Sequence, residues 1–175
     1  MTTIYPDIGC RYAFMFKDKH LIRDLLKSVS DINQDLGDGY TYLMLSVYFK
    51  EDGLMQRILE FPSVNIFQKN KKDRSIIDLL FRSLSNKLNS SHPYKKSTPK
   101  LESKLSYLIT HPKMNLNWQD KHGVSLLMYS IVLCSNGLVY YLINNSNREL
   151  QDEQGSSALD YAKKMGRKDI SSLLD

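Results

Sequence analysis

The feature that most constrains this chain is an internal match that needs no gap. Positions 32–46, Ile-Asn-Gln-Asp-Leu-Gly-Asp-Gly-Tyr-Thr-Tyr-Leu-Met-Leu-Ser, align on 116–130, Leu-Asn-Trp-Gln-Asp-Lys-His-Gly-Val-Ser-Leu-Leu-Met-Tyr-Ser. Both carry an Asn (Asn33, Asn117), then a Gly six positions on (Gly39, Gly123), a hydroxyl residue (Thr41, Ser125), an apolar pair and a small residue. A third copy, positions 152–162, closes the chain, with Gly155 lying 32 positions after Gly123. A worn copy runs over 73–80, with Asp73 where the Gly would be. Gly39 to Asp73 spans 34 positions, and Asp73 to Gly123 spans 50, which is one repeat of about 33 plus an insertion of about 17.

The pattern has a physical reading. A Gly after a polar dipeptide supplies the positive φ of a tight turn. Thr41, Ser125 or Ser157 then stands where its hydroxyl can accept an orphan amide at the start of a helix. Apolar residues follow at helical spacing, Leu43 with Val47 and Leu127 with Ile131. A second helix repeats the spacing, with Leu54, Met55, Ile58 and Leu59 in one copy and Leu138, Tyr141 and Leu142 in another. Neither helix can bury that stripe alone, so the copies must stack. Phe14, Tyr129, Tyr161 and Met128 are expected in the core.

The unit resembles the ankyrin repeat, whose consensus reads roughly D-x-x-G-x-T-P-L-x-x-A-x-x-x-G-x-x-x-I-x-x-L-L. Asp120-Lys121-His122-Gly123 and Asp152-Glu153-Gln154-Gly155 fit its opening, and positions 162–174 follow its second half closely. No copy keeps T-P-L-H: Thr41-Tyr42-Leu43-Met44, Ser125-Leu126-Leu127-Met128 and Ser157-Ala158-Leu159-Asp160 stand there instead. Positions 11–26 resemble a capping helix pair that lacks its leading turn. The resemblance covers about residues 10–175. It implies an all-α, ankyrin-repeat α-solenoid of about five helix-turn-helix units, with an insertion in the third. The units are expected at about 10–35, 36–70, 71–119, 120–151 and 152–175, with helix pairs near 10–27, 41–61, 75–110, 125–145 and 157–174.

The family resemblance also implies where a partner would sit: on the turn tips and the outward side of each first helix. Carried over, these positions are Gly37, Asp38, Tyr40, Tyr48 and Phe49 in the second unit. In the fourth they are Lys121, His122, Val124, Val132 and Leu133, with Trp118 in the turn leading in. Tyr and Trp are over-represented among binding hot spots, which favours a contact patch around Tyr40, Tyr48, Phe49 and Trp118.

The insertion, 87–103, is polar and basic and holds Pro93 and Pro99, which is loop chemistry; its ends are free to extend the flanking helices. As a surface loop it needs no function. Its cations Lys87, Lys95, Lys96 and Lys100 could otherwise touch an acidic partner or phosphates.

Composition narrows the function classes. A formal charge of +5 steers toward an acidic partner but is too small to indicate nucleic-acid binding. No apolar run is long enough to span a bilayer, and the first residues lack the pattern of a secretory signal. Cys10 and Cys134 are too few for a disulfide framework, and free thiols make the cytoplasm the expected compartment. His20, His92, His111 and His122 have no i+3 or i+4 His partner, so neither metal nor cofactor is expected. Gly37-Asp38-Gly39 is no phosphate-binding motif, no Ser lies in G-x-S-x-G, and the acids Glu51/Asp52 and Asp152/Glu153 fall in expected loops.

The expected function is therefore non-enzymatic: a monomeric protein-binding module that inhibits or neutralises one partner, for example a bacterial immunity protein against a toxin or effector. A pathogen effector or adaptor engaging a host protein is the alternative within that class. A nucleic-acid-associated protein using the basic insertion is the alternative outside it.

Overall fold

The computed structural model describes residues 19–47, 52–88 and 99–175. The described residues form helices α1 (Lys19–Lys27), α2 (Tyr42–Ser46), α3 (Asp52–Leu59), α4 (Ile76–Leu88), α5 (Pro99–Ile109), α6 (Leu126–Leu133), α7 (Asn136–Asn145), α8 (Ala158–Lys164) and α9 (Lys168–Leu174). No strand forms among them; the only β features are isolated antiparallel bridges, Gln119 with Ser125 and Gln151 with Ser157. The chain divides into two compact units, Met1–Leu79 and Leu80–Asp175.

In the first unit, α2 and α3 pack as a pair. Thr41 caps α2, its hydroxyl accepting from Met44 N at 3.3 Å, as the hydroxyl position after Gly39 leads one to expect. Tyr42, Leu43, Met44 and Val47 are buried from this side, and Leu54, Met55, Ile58 and Leu59 from α3. Burying each such side chain contributes about 1.5–3 kcal/mol relative to leaving it in water. Helix α1 supplies buried Ile22 and Leu26. The first half of the expected cap, with Phe14, lies outside the described residues.

In the second unit, α6 packs against both α7 and α8, while α9 packs against α7 and α8. Helix α6 is apolar almost all round, and Leu126, Leu127, Met128, Ile131 and Leu133 are all buried, as a helix covered on several sides must be. Ser125 and Ser157 cap α6 and α8 by accepting from Met128 N and Asp160 N, both at 3.3 Å. Asp160 returns the favour to Ser157 N at 2.8 Å, closing a capping box.

The first residues of the insertion, Lys87 and Leu88, continue α4, and positions 99–103 open α5. Pro99 at the first helical position costs nothing, because its missing N–H would have had no partner there. Positions 89–98, with Lys95 and Lys96, lie outside the described residues.

Several side chains depart from expectation. Leu133, expected on the outward surface, is buried. Tyr141, expected in the core, is 38 % exposed, Leu138 is half-buried, and Val139, Leu142 and Ile143 carry the buried stripe of α7. Tyr129 and Tyr161 are half-buried rather than core, because each phenol reaches a carboxylate at the turn before its helix.

Candidate functional site

Four turns of one design precede the first helices. In each, a backbone amide closes the turn by donating to the carbonyl four positions on: Leu36 N to Tyr40 O (2.8 Å), Asn70 N to Arg74 O (3.0 Å), Asp120 N to Val124 O (3.0 Å) and Asp152 N to Ser156 O (3.1 Å). The residue three positions after each start takes a left-handed φ: Gly39 at +75°, Asp73 at +54°, Gly123 at +76° and Gly155 at +77°. Asp73 thus holds the place of the missing glycine, a conformation that Asp tolerates better than most side chains.

A buried or half-buried side chain fixes three of these turns from within. Asp120 Oδ1 accepts His122 N and Val124 N, both at 2.9 Å. Asp152 Oδ1 accepts Gln154 N and Ser156 N, again at 2.9 Å. Asn70 Oδ1 does the same for Lys72 N (2.9 Å) and Arg74 N (3.1 Å). In the remaining turn, Leu36 has no such group, and Asp35 Oδ1 accepts Gly37 N (2.6 Å) and Gly39 N (2.8 Å) instead.

The second oxygen of each aspartate has its own donor: Tyr129 Oη gives to Asp120 Oδ2 at 2.7 Å and Tyr161 Oη to Asp152 Oδ2 at 2.8 Å. The amide of Ser156 above all, with the Tyr161 hydroxyl and the amide of Gln154, holds the Asp152 carboxyl below its ordinary range. Burial and that carboxylate push the Tyr161 phenol up to about 12. Leu79 occupies the corresponding position after Asn70, and Asn70 Nδ2 is a buried donor without a partner among the described residues.

Successive turns within a unit are joined. Lys71 N donates to Asp38 O and Glu153 N to His122 O, each at 2.9 Å. A second ladder runs ahead of the turns: Asp31, Asn65, Asn115 and Asn147 each accept the amide two positions on, at 2.9–3.0 Å. The Asn common to the aligned copies crosses to the next rung, Asn33 Oδ1 accepting Asn65 N and Asn117 Oδ1 accepting Asn147 N, both at 2.7 Å.

This frame determines what the tips present. In the first unit, Asp38 is exposed and Tyr40 half-buried; Lys71 and Lys72, at the equivalent tip positions, are exposed and Arg74 is half-buried. In the second unit, Lys121 and His122 are exposed, while Trp118, Val124 and Val132 are half-buried. His122 Nδ1 faces Glu153 Oε2 of the following tip at 3.1 Å. Tyr48 and Phe49 lie outside the described residues. The backbones of Lys87 and Lys100 sit in α4 and α5 rather than at the tips. The basic tip of 69–74 carries no motif of its own; only its register with Asp38, through Asp73, marks it in the sequence.

Groups suited to chemistry are scarce among the described residues. Among the described residues, no three His, Cys, Asp or Glu come together as a metal site. Cys134 is a free thiol, pushed up to about 12 by burial and by the Glu102 carboxylate, so it holds its proton at neutral pH. An open groove of about 420 Å³ between α5 and α7 is lined by Tyr107, Leu138 and Tyr141 with Glu102 and several hydroxyls. The Glu102 carboxylate there accepts Ser135 N at 2.8 Å. No helix among the described residues is long and apolar enough to cross a membrane.

No family model matches this chain, and no curated protein matches it by sequence. Its fold does find a match. The crystal structure of EF0377, an ankyrin repeat protein, is similar over 95% of this chain and 96% of that one, with a TM-score of 0.54 and 18% sequence identity. The all-helical arrangement and that likeness establish the fold as the ankyrin-repeat α-solenoid expected from the internal repeats.

Proposed function

We propose that this chain binds another protein through its turn tips and the outward sides of its first helices, and acts by covering the partner's surface. The supporting observation is a division of labour in the turns. Their backbones are repeated and internally bonded, yet the residues they hold outward differ: Asp38 in one, Lys71 and Lys72 in the next, Lys121 and His122, then Glu153. A fixed frame with variable tips loses little conformational freedom on binding, which favours recognition of a protein surface. The ankyrin-repeat fold and the lack of converging acid, base and nucleophile among the described residues both favour reading the protein as a non-enzymatic scaffold.

Inhibition or neutralisation is the form of this function we favour, with a bacterial immunity protein that masks a toxin or effector in the cytoplasm as its concrete version. A stack with ordered tips acts most directly by occupying a surface that its partner needs. Capture on the tagged chain, read by mass spectrometry, tests the binding role. Co-expression then tests neutralisation: the captured partner should be harmful alone and tolerated beside this chain. If the partner has the same effect with and without the chain, the neutralising role is wrong although binding stands.

A further inference from the structure

We infer that the turn at 69–74 is a docking point for a carboxylate-rich segment of the partner, a reading that rests on the protein-binding role proposed above. The segment Lys69-Asn70-Lys71-Lys72-Asp73-Arg74 holds four cations and one acid. Two of the cations are already matched within the first unit: Lys69 Nζ lies 2.9 Å from Asp73 and Lys71 Nζ 3.7 Å from Asp38. The other two are not. No hydrogen bond or ion pair among the described residues engages the Lys72 ammonium or the Arg74 guanidinium.

The backbone beneath both is fixed. Their own backbone amides are the two donors to the Asn70 side chain, which is 5 % exposed. Asn70 N and O close the turn on Arg74 O and Asp73 N at 3.0 and 2.9 Å, and Lys71 N ties it to the neighbouring turn. A pair of cations without counter-charges thus projects from backbone that is already ordered, so little freedom is lost when an acidic segment arrives. Arg74 brings a planar fork that can take a carboxylate through two bonds, and Lys72 a mobile point charge beside it. The other tips do not repeat this arrangement. Tyr40, Val124 and Ser156 replace Arg74, and His122 already faces a carboxylate.

The test uses the full chain and a fluorescein-labelled peptide of repeated Glu-Glu-Ser, followed by anisotropy at low and at physiological salt. Lys72→Glu with Arg74→Glu is compared with Arg57→Glu with Lys168→Glu, which changes net charge equally on two second helices. Far-UV circular dichroism confirms that both double variants fold. The tip variant should bind about tenfold more weakly, the size expected from reversing one exposed and one half-buried cation, while the control stays within about twofold. Equal losses in both, or no binding of the peptide at low salt, would overturn the inference by reducing it to net charge or to nothing. Tighter binding of a single-stranded oligonucleotide of matched charge, lost in the same tip variant, would overturn it in favour of phosphates. Once a partner is captured, unchanged affinity for the tip variant beside weakened affinity for Trp118→Ala would refute the acidic docking point and leave the protein-binding role standing. Failure to capture any protein would count against that role itself.

Discussion

Gly123 and Gly155 share a backbone conformation but not a neighbourhood, so replacing each by Ala separates two costs that usually come together. Both have φ near +76°, where a Cβ is strained; that cost is about 1 kcal/mol. At Gly155 nothing lies within 4 Å of the added Cβ, so the strain is the whole penalty. At Gly123 the Cβ would stand 3.0 Å from Asp152 Cα and 3.1 Å from Gln151 O, both backbone atoms of the next turn. Those atoms cannot swing aside like a flexible side chain. Relief requires the turns to part, which weakens the bond from Glu153 N to His122 O. Losing much of one such bond adds about 1 kcal/mol, giving about 2 kcal/mol for Gly123→Ala against about 1 for Gly155→Ala. Trp118, the sole tryptophan, lies in the same compact unit as both glycines, so its fluorescence during urea unfolding reports that unit directly. Equal losses at the two sites would show that contact between turns contributes nothing to stability.

Gly39→Ala should cost more than Gly123→Ala, because its Cβ would meet Asn70 Cα at 2.7 Å; circular dichroism melts of the two variants compare them. Tyr129→Phe removes the donor to Asp120 Oδ2 and should destabilise the second unit by about 1–2 kcal/mol, measured by urea titration. Asp152 and Asp160 have carboxyls held below their usual range, so their stabilisation is present at neutral pH and is lost as pH falls below about 4 through the folded-state values. Tyr161 is raised to about 12, so its share is intact below the unfolded value of about 10 and disappears as pH climbs from there toward 12. Thermal melts across pH should show both edges, and Tyr161→Phe should flatten the alkaline one. With Cys10 replaced by Ser, half-buried Cys134 should react with a thiol reagent at pH 7 far more slowly in the folded chain than in urea; equal rates would contradict its raised value.

Much of the fold could be read in the sequence because repeats constrain one another. The match of Gly39 with Gly123 fixed the turns, the hydroxyl two positions later fixed the start of α2, α6 and α8, and register alone identified Asp73 as a turn residue. Side-chain direction was harder. Helix α7 carries Leu138, Val139, Tyr141, Leu142 and Ile143, which supply two apolar stripes one residue apart. Periodicity accepts either, and packing against α6 and α9 selects the one through Val139 and Ile143. Leu133 failed as an outward residue for a similar reason: degenerate repeats shift what a position faces. The bonds inside and between turns were invisible because they join residues that become neighbours only once the turn closes. Neither the aspartate–tyrosine pairs nor the bridge from Asn33 to Asn65 leaves a local motif.

Hydrogen exchange on the complex with a captured partner reports which part of the chain the partner covers. Binding through the tips should slow exchange in segments 36–41, 70–75, 120–125 and 152–157, and leave α3, α7 and α9 unchanged. Protection concentrated on α5 and α7, around the groove by Tyr107 and Tyr141, with the four turns unaffected, would contradict the account.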